Sequence, residues 1–138
     1  MSDTTKKAFK DQHPSKLSKD EIAGSIFKHK NAVASVYNET TPVICYPTLL
    51  SSDKKFETGM YSSGALHETY KDGYGFDEFM YLISGSVTLT SADGTVTVIN
   101  AGEAASFHKE WIGTWDTEGY TKIYVMYASE GLKPASES

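Results

Sequence analysis

Glu78 is the residue whose type and position best suit chemistry. It lies two and four residues before Met80 and Leu82, and this spacing puts all three side chains on one face of a β-strand. A carboxylate buried on an apolar face needs a partner or has a raised pKa, and such a group suits a general acid or base. Lys122, in the segment TKIYVMY, is the candidate partner, and binding of an acidic substrate by its ammonium is an alternative role. A purely structural Glu78–Lys122 ion pair is the alternative that the sequence leaves open.

Tyr74 and Asp72 precede Glu78 in the segment KDGYGFD. We predict that Tyr74 contributes to catalysis with Glu78 and Lys122, and that Asp72 contacts the substrate at the mouth of a pocket. The alternative for both residues is an ordinary solvated hairpin turn, because Gly and Asp are typical turn residues.

Other candidates are predicted to bind the substrate rather than to react with it. They are Met80, His108, Trp115 and Tyr124. For His108 the alternative is a surface position, and for Trp115 it is packing in the core. Aromatic residues make up 12% of the chain, including nine Tyr, which suits a small-molecule pocket lined by rings. Cys45 has no His nearby in the sequence, so a catalytic thiol is not predicted.

The elements that would position these residues are short strands. Segments rich in Val, Ile, Thr, Tyr and Phe predict strands near 58–62, 64–70, 78–83, 85–91, 94–99, 104–108, 111–116 and 120–127. Many short strands at nearly regular spacing indicate an all-β sandwich or barrel. The alternation around Gly85 predicts an interior built from Glu78, Met80, Leu82, Val87, Leu89 and Tyr124.

Turns and one helix start are also visible. SADGT (91–95) contains an Asp-Gly pair typical of a hairpin, and SGS (84–86) and NAG (100–102) are predicted as turns. Ser18 followed by Glu21 predicts a capping box at the start of a short helix. The segment 31–37 fits either a strand or a helix, and the two prolines in TPVICYPTLLSSD predict an edge strand and a loop.

Several motifs together resemble the cupin superfamily. Glu78 is followed by six residues and Gly85, and a Gly102-Glu103 turn comes later. From Gly64 to Tyr127 the chain is similar to the small single-domain cupins grouped with ureidoglycine aminohydrolase and the ethanolamine-utilisation cupins. The matching segments are Asp77-Glu78, Tyr81 to Gly85, Val87, Leu89-Thr90, Asp93-Gly94, Ala101 to Glu103, Gly113 to Trp115 and Lys122 to Tyr124.

The resemblance implies a jelly-roll β-barrel with a pocket at its mouth, and a homodimer. In metal-binding cupins two His precede the Glu and a third lies in the second motif. Here those positions hold Asp72 and Tyr74, or Lys71 and Gly73 with a longer spacing, and Gly113. No metal cofactor is therefore predicted, because one carboxylate does not make a transition-metal site. A rearranged divalent-metal site from Asp72, Tyr74, Glu78 and His108 is the alternative.

Length and composition limit the number of domains, the classes of partner and the location of the protein. The chain has 138 residues, which suits one domain, and its net charge is −5. Residues 1–30 hold seven Lys and four acidic residues, whereas residues 31–138 hold six Lys and fourteen acidic residues. An acidic main domain without Arg is a poor nucleic-acid partner, and no apolar run is long enough to cross a membrane. The single cysteine and the polar start favour a cytoplasmic protein.

These observations predict an N-terminal basic arm, helical or irregular, at 1–30, a cupin barrel at 31–130 and a flexible tail at 131–138. The predicted function is binding of a small organic ligand, with metal-independent isomerase, lyase or cyclase chemistry at Glu78. A metal-dependent cupin enzyme and a non-catalytic accessory protein are the alternatives.

Overall fold

A computed structural model describes residues 13–132 of the chain. A four-residue helix, α1 (Lys19–Ile22), and a 3₁₀ helix (Ser25–Lys28) precede the strands. The strands are β1 (Val33–Tyr37), β2 (Thr41–Leu50), β3 (Phe56–Ser63), β4 (Leu66–Tyr70), β5 (Asp77–Ser91), β6 (Val96–Asn100), β7 (Ala104–Phe107), β8 (Gly113–Thr117) and β9 (Tyr120–Tyr127). The all-β class predicted from the short strand-forming segments is confirmed.

Two antiparallel sheets share the long strand β5. Its first part pairs with β9 and β7, in a sheet of order β1-β2-β3-β9-β5-β7. Its second part pairs with β8 and β6, in a sheet of order β4-β8-β5-β6. The two sheets curl around one interior as a jelly-roll β-barrel, which is the predicted architecture.

Strand β5 corrects the prediction of a turn at 84–86. The chain passes through this segment as one continuous strand, and the pairing with β9 shifts between Leu82 and Ser84. The shift is a bulge, so buried positions follow even numbers up to Leu82 and odd numbers from Val87. Gly85 has φ +77° and a Cβ there would lie 2.1 Å from the Gly119 carbonyl oxygen. Glycine is therefore needed for the kink of a strand, although its type alone suggested a turn.

Strand β2 corrects a second prediction. The segment with Pro42 and Pro47 is a ten-residue strand that pairs with β1 on one side and β3 on the other. It is an interior strand rather than an edge strand and a loop. Pro47 lies beside a register shift between Pro47 and Leu49, where the missing N–H interrupts the ladder least. The segment 31–37, which fitted two states, forms strand β1.

The helical segment before β1 packs on the outside of the barrel. Ser18 and Glu21 form the predicted capping box, with hydrogen bonds in both directions. Ile26 is buried, and the His29 ring meets the Tyr46 ring of β2 edge-on at 5.2 Å between centroids. Within residues 13–132, no helix is long and apolar enough to cross a membrane. Most of the predicted flexible tail and residues 1–12 of the predicted arm lie outside the described residues.

The core lies where the two sheets face each other. Its buried members are Met80, Leu82, Val87, Leu89, Ile99, Trp115 and Tyr120. All six residues predicted to be interior are buried, including Glu78 and Tyr124. Glu78 and Lys122 are also buried, so two charged side chains lie beside this apolar core.

Candidate functional site

A cavity of about 470 Å³ opens beside the core, between β1–β3 and β9 on one side and the β4–β5 connection on the other. Eight aromatic side chains line it: Tyr37, Tyr61, Tyr70, Tyr74, Phe76, Trp115, Tyr120 and Tyr124. Among its lining residues only Glu57, Glu78 and Lys122 carry a formal charge. An aromatic wall with a few polar groups is the usual construction of a small-molecule site.

Register across three strands explains how the charged groups come to face this cavity. Met126 of β9 pairs with Glu57 of β3 on one side and with Glu78 of β5 on the other. Residues directly opposite each other in an antiparallel sheet point to the same face. Lys122 lies four residues before Met126 on the same strand, so the period of two puts its side chain on that face as well.

Glu78 has a hydrogen-bond donor on each carboxylate oxygen. The Tyr74 hydroxyl donates to Oε1 at 2.7 Å, and the Lys122 ammonium donates to Oε2 at 2.6 Å. Both partners of the ion pair are buried, with 4% and 5% of their surfaces exposed. The structure therefore brings together the three residues predicted to be catalytic, and the predicted Glu78–Lys122 pair is present.

Aromatic rings contact both partners of Glu78, which are Lys122 and Tyr74. The Lys122 ammonium lies 5.2 Å from the Tyr61 ring centroid, 5.3 Å from that of Trp115 and 5.7 Å from that of Tyr120. Tyr74 stacks on Trp115 with an interplanar angle of 7°. Burial and the charge of Glu78 raise the pKa of Tyr74 well above its ordinary value, so its hydroxyl keeps the proton that it donates.

Glu57 forms a second polar group in the same cavity. Its Oε2 accepts a hydrogen bond from the Tyr124 hydroxyl at 2.5 Å, and the Tyr124 oxygen lies 3.3 Å from Cys45 Sγ. Since Tyr124 has one proton and gives it to Glu57, the Cys45 thiol is the donor to Tyr124. Burial raises the pKa of Glu57, and the Tyr124 hydrogen bond offsets part of that rise. Burial also raises the pKa of Cys45, which keeps the thiol protonated.

Glu57 is not among the site residues predicted from the sequence. It lies just before the predicted start of a strand at 58, whereas the structure has β3 begin at Phe56. The signal that could have found it is the spacing of two along Glu57, Gly59 and Tyr61, which puts Glu57 on the same strand face as Tyr61. Gly59 matters here because a Cβ at that position would lie 2.6 Å from the Tyr124 hydroxyl oxygen. Glycine leaves the space in which the Tyr124 ring reaches Glu57.

The remaining predicted substrate-binding residues divide into two groups. Trp115 and Tyr124 line the cavity. Asp72 is exposed and Met80 is fully buried in the core, and neither lines the cavity. His108 lies in a separate outer groove of about 380 Å³. It directly follows Phe107, which is opposite Glu78 in the β5–β7 pairing, and it is exposed.

Comparison with known proteins agrees with this architecture. A model of the EutQ-like cupin domain matches residues 51–124, which is more than half of the chain. The chain belongs to the EutQ-like cupin domain family. The predicted resemblance to cupins is thus confirmed on its ethanolamine-utilisation side, whereas the link to ureidoglycine aminohydrolase is not shown. No curated protein sequence matches the chain.

Two solved cupin structures illustrate the shared fold. EutQ of Clostridium difficile is 18% identical, with a TM-score of 0.56, over 83% of this chain and 82% of that one. A DUF861-family protein of Pseudomonas syringae is 15% identical, with a TM-score of 0.62, over 69% of this chain. The present chain covers 43% of that protein, which is less than half of its length. At these identities the likeness shows the fold alone, that of a cupin barrel.

The cavity of this cupin does not fit a divalent metal. Its lining residues include no His, and of the two lining residues at metal-ligand positions of the superfamily, Tyr74 and Glu78, only Glu78 has a carboxylate. The Lys122 ammonium already occupies the cation position beside the Glu78 carboxylate, at 2.6 Å. A metal at the same oxygen would have to displace that ammonium and bring two like charges together.

Outside the cavity, three residues of the cupin have the composition of a metal-ligand set. Possible ligand atoms of Asp77, His108 and Glu110 all lie within 4.8 Å of one another. Glu78 connects the two regions, because it lines both the cavity and the outer groove that contains His108. Of the rearranged set predicted from Asp72, Tyr74, Glu78 and His108, the structure joins Tyr74 to Glu78 by a hydrogen bond. Within residues 13–132, Asp72, Glu78 and His108 do not form a cluster of ligand atoms as Asp77, His108 and Glu110 do.

Proposed function

We propose that the cavity binds a small organic molecule and transfers a proton on it without a metal, with Glu78 as the acid/base group. The reaction classes that suit one buried carboxylate are isomerisation, elimination and cyclisation. The observation that carries this proposal is the position of Glu78, buried at the cavity wall with Tyr74 and Lys122 fixing both of its oxygens. Two hydrogen bonds hold the carboxylate in one orientation and leave further lone pairs for a proton from the ligand.

The surroundings of Glu78 also suit negative charge that develops on the ligand. Lys122 has three N–H donors and gives one of them to Glu78. The indole N–H of Trp115 is buried and has no hydrogen-bond partner among residues 13–132. A buried donor without a partner costs about 1–3 kcal/mol, and an acceptor on a ligand would remove that cost. Donors preorganised where charge develops are the strongest form of electrostatic catalysis.

Solvent hydrogen exchange tests this proposal directly. Small carbonyl, hydroxy and amino compounds are incubated with the protein in D₂O, and loss of C–H signals is followed by proton NMR. We expect exchange or conversion of at least one compound by the wild type and by Glu118→Gln, an exposed charge-matched control. Glu78→Gln should bind that compound without exchange. Exchange that survives Glu78→Gln would contradict the assignment of Glu78.

A non-catalytic binding role is the second candidate, and one observation favours it. The Glu78 carboxylate is already engaged on both oxygens by protein groups, as a structural anchor would be. In that case the D₂O experiment would detect binding, as shifted ligand signals, and no exchange with any compound. The alternative is thus separated from the first proposal by the same measurement.

A metal-dependent cupin is the third candidate, favoured by the Asp77, His108 and Glu110 cluster. Metal analysis of protein purified without an affinity tag tests it. About one equivalent of a divalent metal, lost in His108→Ala, would place a metal in the outer groove rather than in the cavity. Its absence after purification with and without added Zn²⁺ or Mn²⁺ would remove this candidate.

We also propose a cytoplasmic homodimer that binds no nucleic acid. The acidic composition of residues 31–138 and the single cysteine support the location and the lack of a nucleic-acid partner. Sedimentation equilibrium tests the dimer, and a monomer at micromolar concentration would contradict it.

A further inference from the structure

The charges in the cavity do not balance. Glu78 and Lys122 neutralise each other as a buried pair at 2.6 Å. Glu57 is 5% exposed and lines the same cavity, and its hydrogen-bond partner is the neutral Tyr124 hydroxyl. Among residues 13–132, no Lys or His lies within ion-pair distance of Glu57. When both carboxylates are ionised, the wall therefore carries one negative charge for which residues 13–132 supply no counter-ion.

The protein itself shows how this cavity holds an ammonium group. Lys122 places its ammonium against one carboxylate and within 5.7 Å of three ring centroids. Carboxylate and aromatic faces together make a favourable site for a desolvated organic cation. Glu57 and Tyr124 likewise offer a carboxylate and an aromatic ring. The β9 residue opposite Glu57 is Met126, four residues after Lys122, so no second lysine stands there.

We propose that the ligand of this cavity carries an organic ammonium group, which Glu57 and Tyr124 bind. The inference rests on the proposed function in that the same cavity holds the ligand. It adds the chemical class, a small amine or quaternary ammonium compound, and the end at which it is held. No bond is made or broken at Glu57, which acts as the counter-ion.

The register between the two carboxylates sets how such a ligand would lie. Glu57 and Glu78 flank Met126 on neighbouring strands of β9. Two strand spacings separate their Cα atoms by roughly 10 Å, and both side chains point into the cavity. A compact molecule whose ammonium meets Glu57 would therefore present atoms a few bonds away to Glu78. This arrangement gives Glu57 the task of orientation and Glu78 the task of proton transfer.

Binding of matched cation and neutral pairs tests the proposal. The probes are choline with its uncharged isostere 3,3-dimethylbutan-1-ol, and butylammonium with butan-1-ol. Trp111→Phe leaves Trp115, which lines the cavity, as the single tryptophan, and its fluorescence reports binding. At pH 8 we expect at least one ammonium ion to bind saturably and about tenfold more tightly than its neutral isostere.

Variants at two carboxylates decide whether Glu57 is responsible. In the Trp111→Phe background, Glu57→Gln should reduce ammonium affinity to that of the neutral isostere, and Glu57→Asp should keep part of the preference. Glu118→Gln should bind as the parent does, because it removes the same charge from the surface. Circular dichroism checks that each variant is folded.

Three results would overturn the inference. They are the lack of saturable binding of either ammonium ion, equal affinity for cation and isostere, and unchanged preference in Glu57→Gln. None of them affects the exchange experiment on Glu78, which uses neutral and charged compounds alike. If ammonium ions bind but no compound shows exchange that depends on Glu78, the proposed proton transfer is contradicted and the ligand class is not.

Discussion

The two sides of the cavity contain similar groups with different partners. On the β5 side Glu78 accepts hydrogen bonds from a tyrosine, Tyr74, and from the Lys122 ammonium. On the β3 side Glu57 accepts a hydrogen bond from a tyrosine, Tyr124, and has no cation beside it among the described residues. Both carboxylates are about 95% buried. The two carboxylates are therefore equally buried but differ in whether a neighbouring ammonium neutralises their charge.

This difference predicts opposite responses to the loss of charge. A buried ion pair is strongly destabilised when one member is removed, because the survivor remains buried without a partner. A buried carboxylate without a cation is already buried and unpaired, so its neutralisation should stabilise the folded state. Removal of one charge from the β5 pair is thus expected to destabilise the fold, whereas removal of the Glu57 charge on the β3 side is expected to stabilise it. The Glu57 charge is then available to neutralise a cationic ligand.

The largest effect is expected from Lys122→Met. The substitution keeps an unbranched side chain, one atom shorter, and leaves Glu78 buried with only the Tyr74 hydroxyl as a donor. We expect a loss of about 3–5 kcal/mol in the free energy of unfolding, measured by urea denaturation at pH 7. Lys71→Met, at an exposed position, is the matched control and should change stability by less than about 0.5 kcal/mol.

A double variant separates the pair from other effects of Lys122. Glu78→Gln alone should also destabilise, and Glu78→Gln with Lys122→Met should recover much of the sum of the two single losses. Additive losses in the double variant would show that the two groups do not act as a pair. The β5 side would then resemble the β3 side, and the comparison would fail.

The second effect concerns the kink at Gly85, across which the buried positions of β5 change from even to odd numbers. Gly85→Val forces a Cβ to 2.1 Å from the Gly119 carbonyl oxygen at φ +77°. We expect a loss above about 3 kcal/mol in the same denaturation assay, from steric overlap added to backbone strain. Gly94→Val is the matched control: it has φ +90° and no atom within 4 Å, so only the strain of about 1–2 kcal/mol should remain.

The β5 side was largely visible in the sequence. The spacing of two among Glu78, Met80 and Leu82 is a local pattern, and local patterns survive folding when the face is buried. The partner Lys122 could be named because it stands among strand-forming apolar residues, where a charge requires a counter-ion. The Asp93-Gly94 hairpin and the Ser18 capping box were found for the same reason, since both depend on residues a few positions apart.

The β3 side could not be found in this way. Glu57 reaches the cavity because β3 pairs with β9 in one particular register, and no pattern within β3 specifies that partner. His108 was predicted to bind the substrate, and the structure places it in the outer groove, which Glu78 also lines. Pro42 and Pro47 suggested an edge, although long-range pairing on both sides makes β2 an interior strand. Each failure concerns contacts between segments that are distant in the sequence.

A third, smaller effect compares the two tyrosines. Tyr124→Phe removes the hydrogen bond to Glu57 and the acceptor of the Cys45 thiol. We expect a loss of about 1–3 kcal/mol at pH 8, because Glu57 is left buried without a donor. Tyr74→Phe should cost less, since Lys122 continues to satisfy Glu78. A larger loss in Tyr74→Phe than in Tyr124→Phe, measured by urea denaturation of both proteins, would reverse the assignment of the better-satisfied carboxylate.

The smallest effect has the opposite sign and is the sharpest test of the comparison. Burial raises the folded-state pKa of Glu57 above its ordinary value of 4.5, so the folded protein keeps this proton to a higher pH than the unfolded chain does. The contribution of Glu57 to stability therefore falls as pH rises from about 4.5 through the folded-state pKa, and then stays constant. Glu57→Gln removes that dependence. We expect it to gain up to about 1 kcal/mol relative to wild type at pH 8 and no such gain at pH 4.

Paired urea titrations of wild type, Glu57→Gln and Glu118→Gln at pH 4, 6 and 8 measure this difference. The groups that touch Glu57 or its partner do not confuse the measurement. The raised pKa values of Tyr124 and Cys45 keep both protonated in this range, and the Glu118→Gln control reports any effect of net charge. Destabilisation by Glu57→Gln at pH 8 would mean that the carboxylate has a favourable charged partner in the folded protein. Glu57 would then resemble Glu78, and no charge would be left in the cavity for a cationic ligand to neutralise.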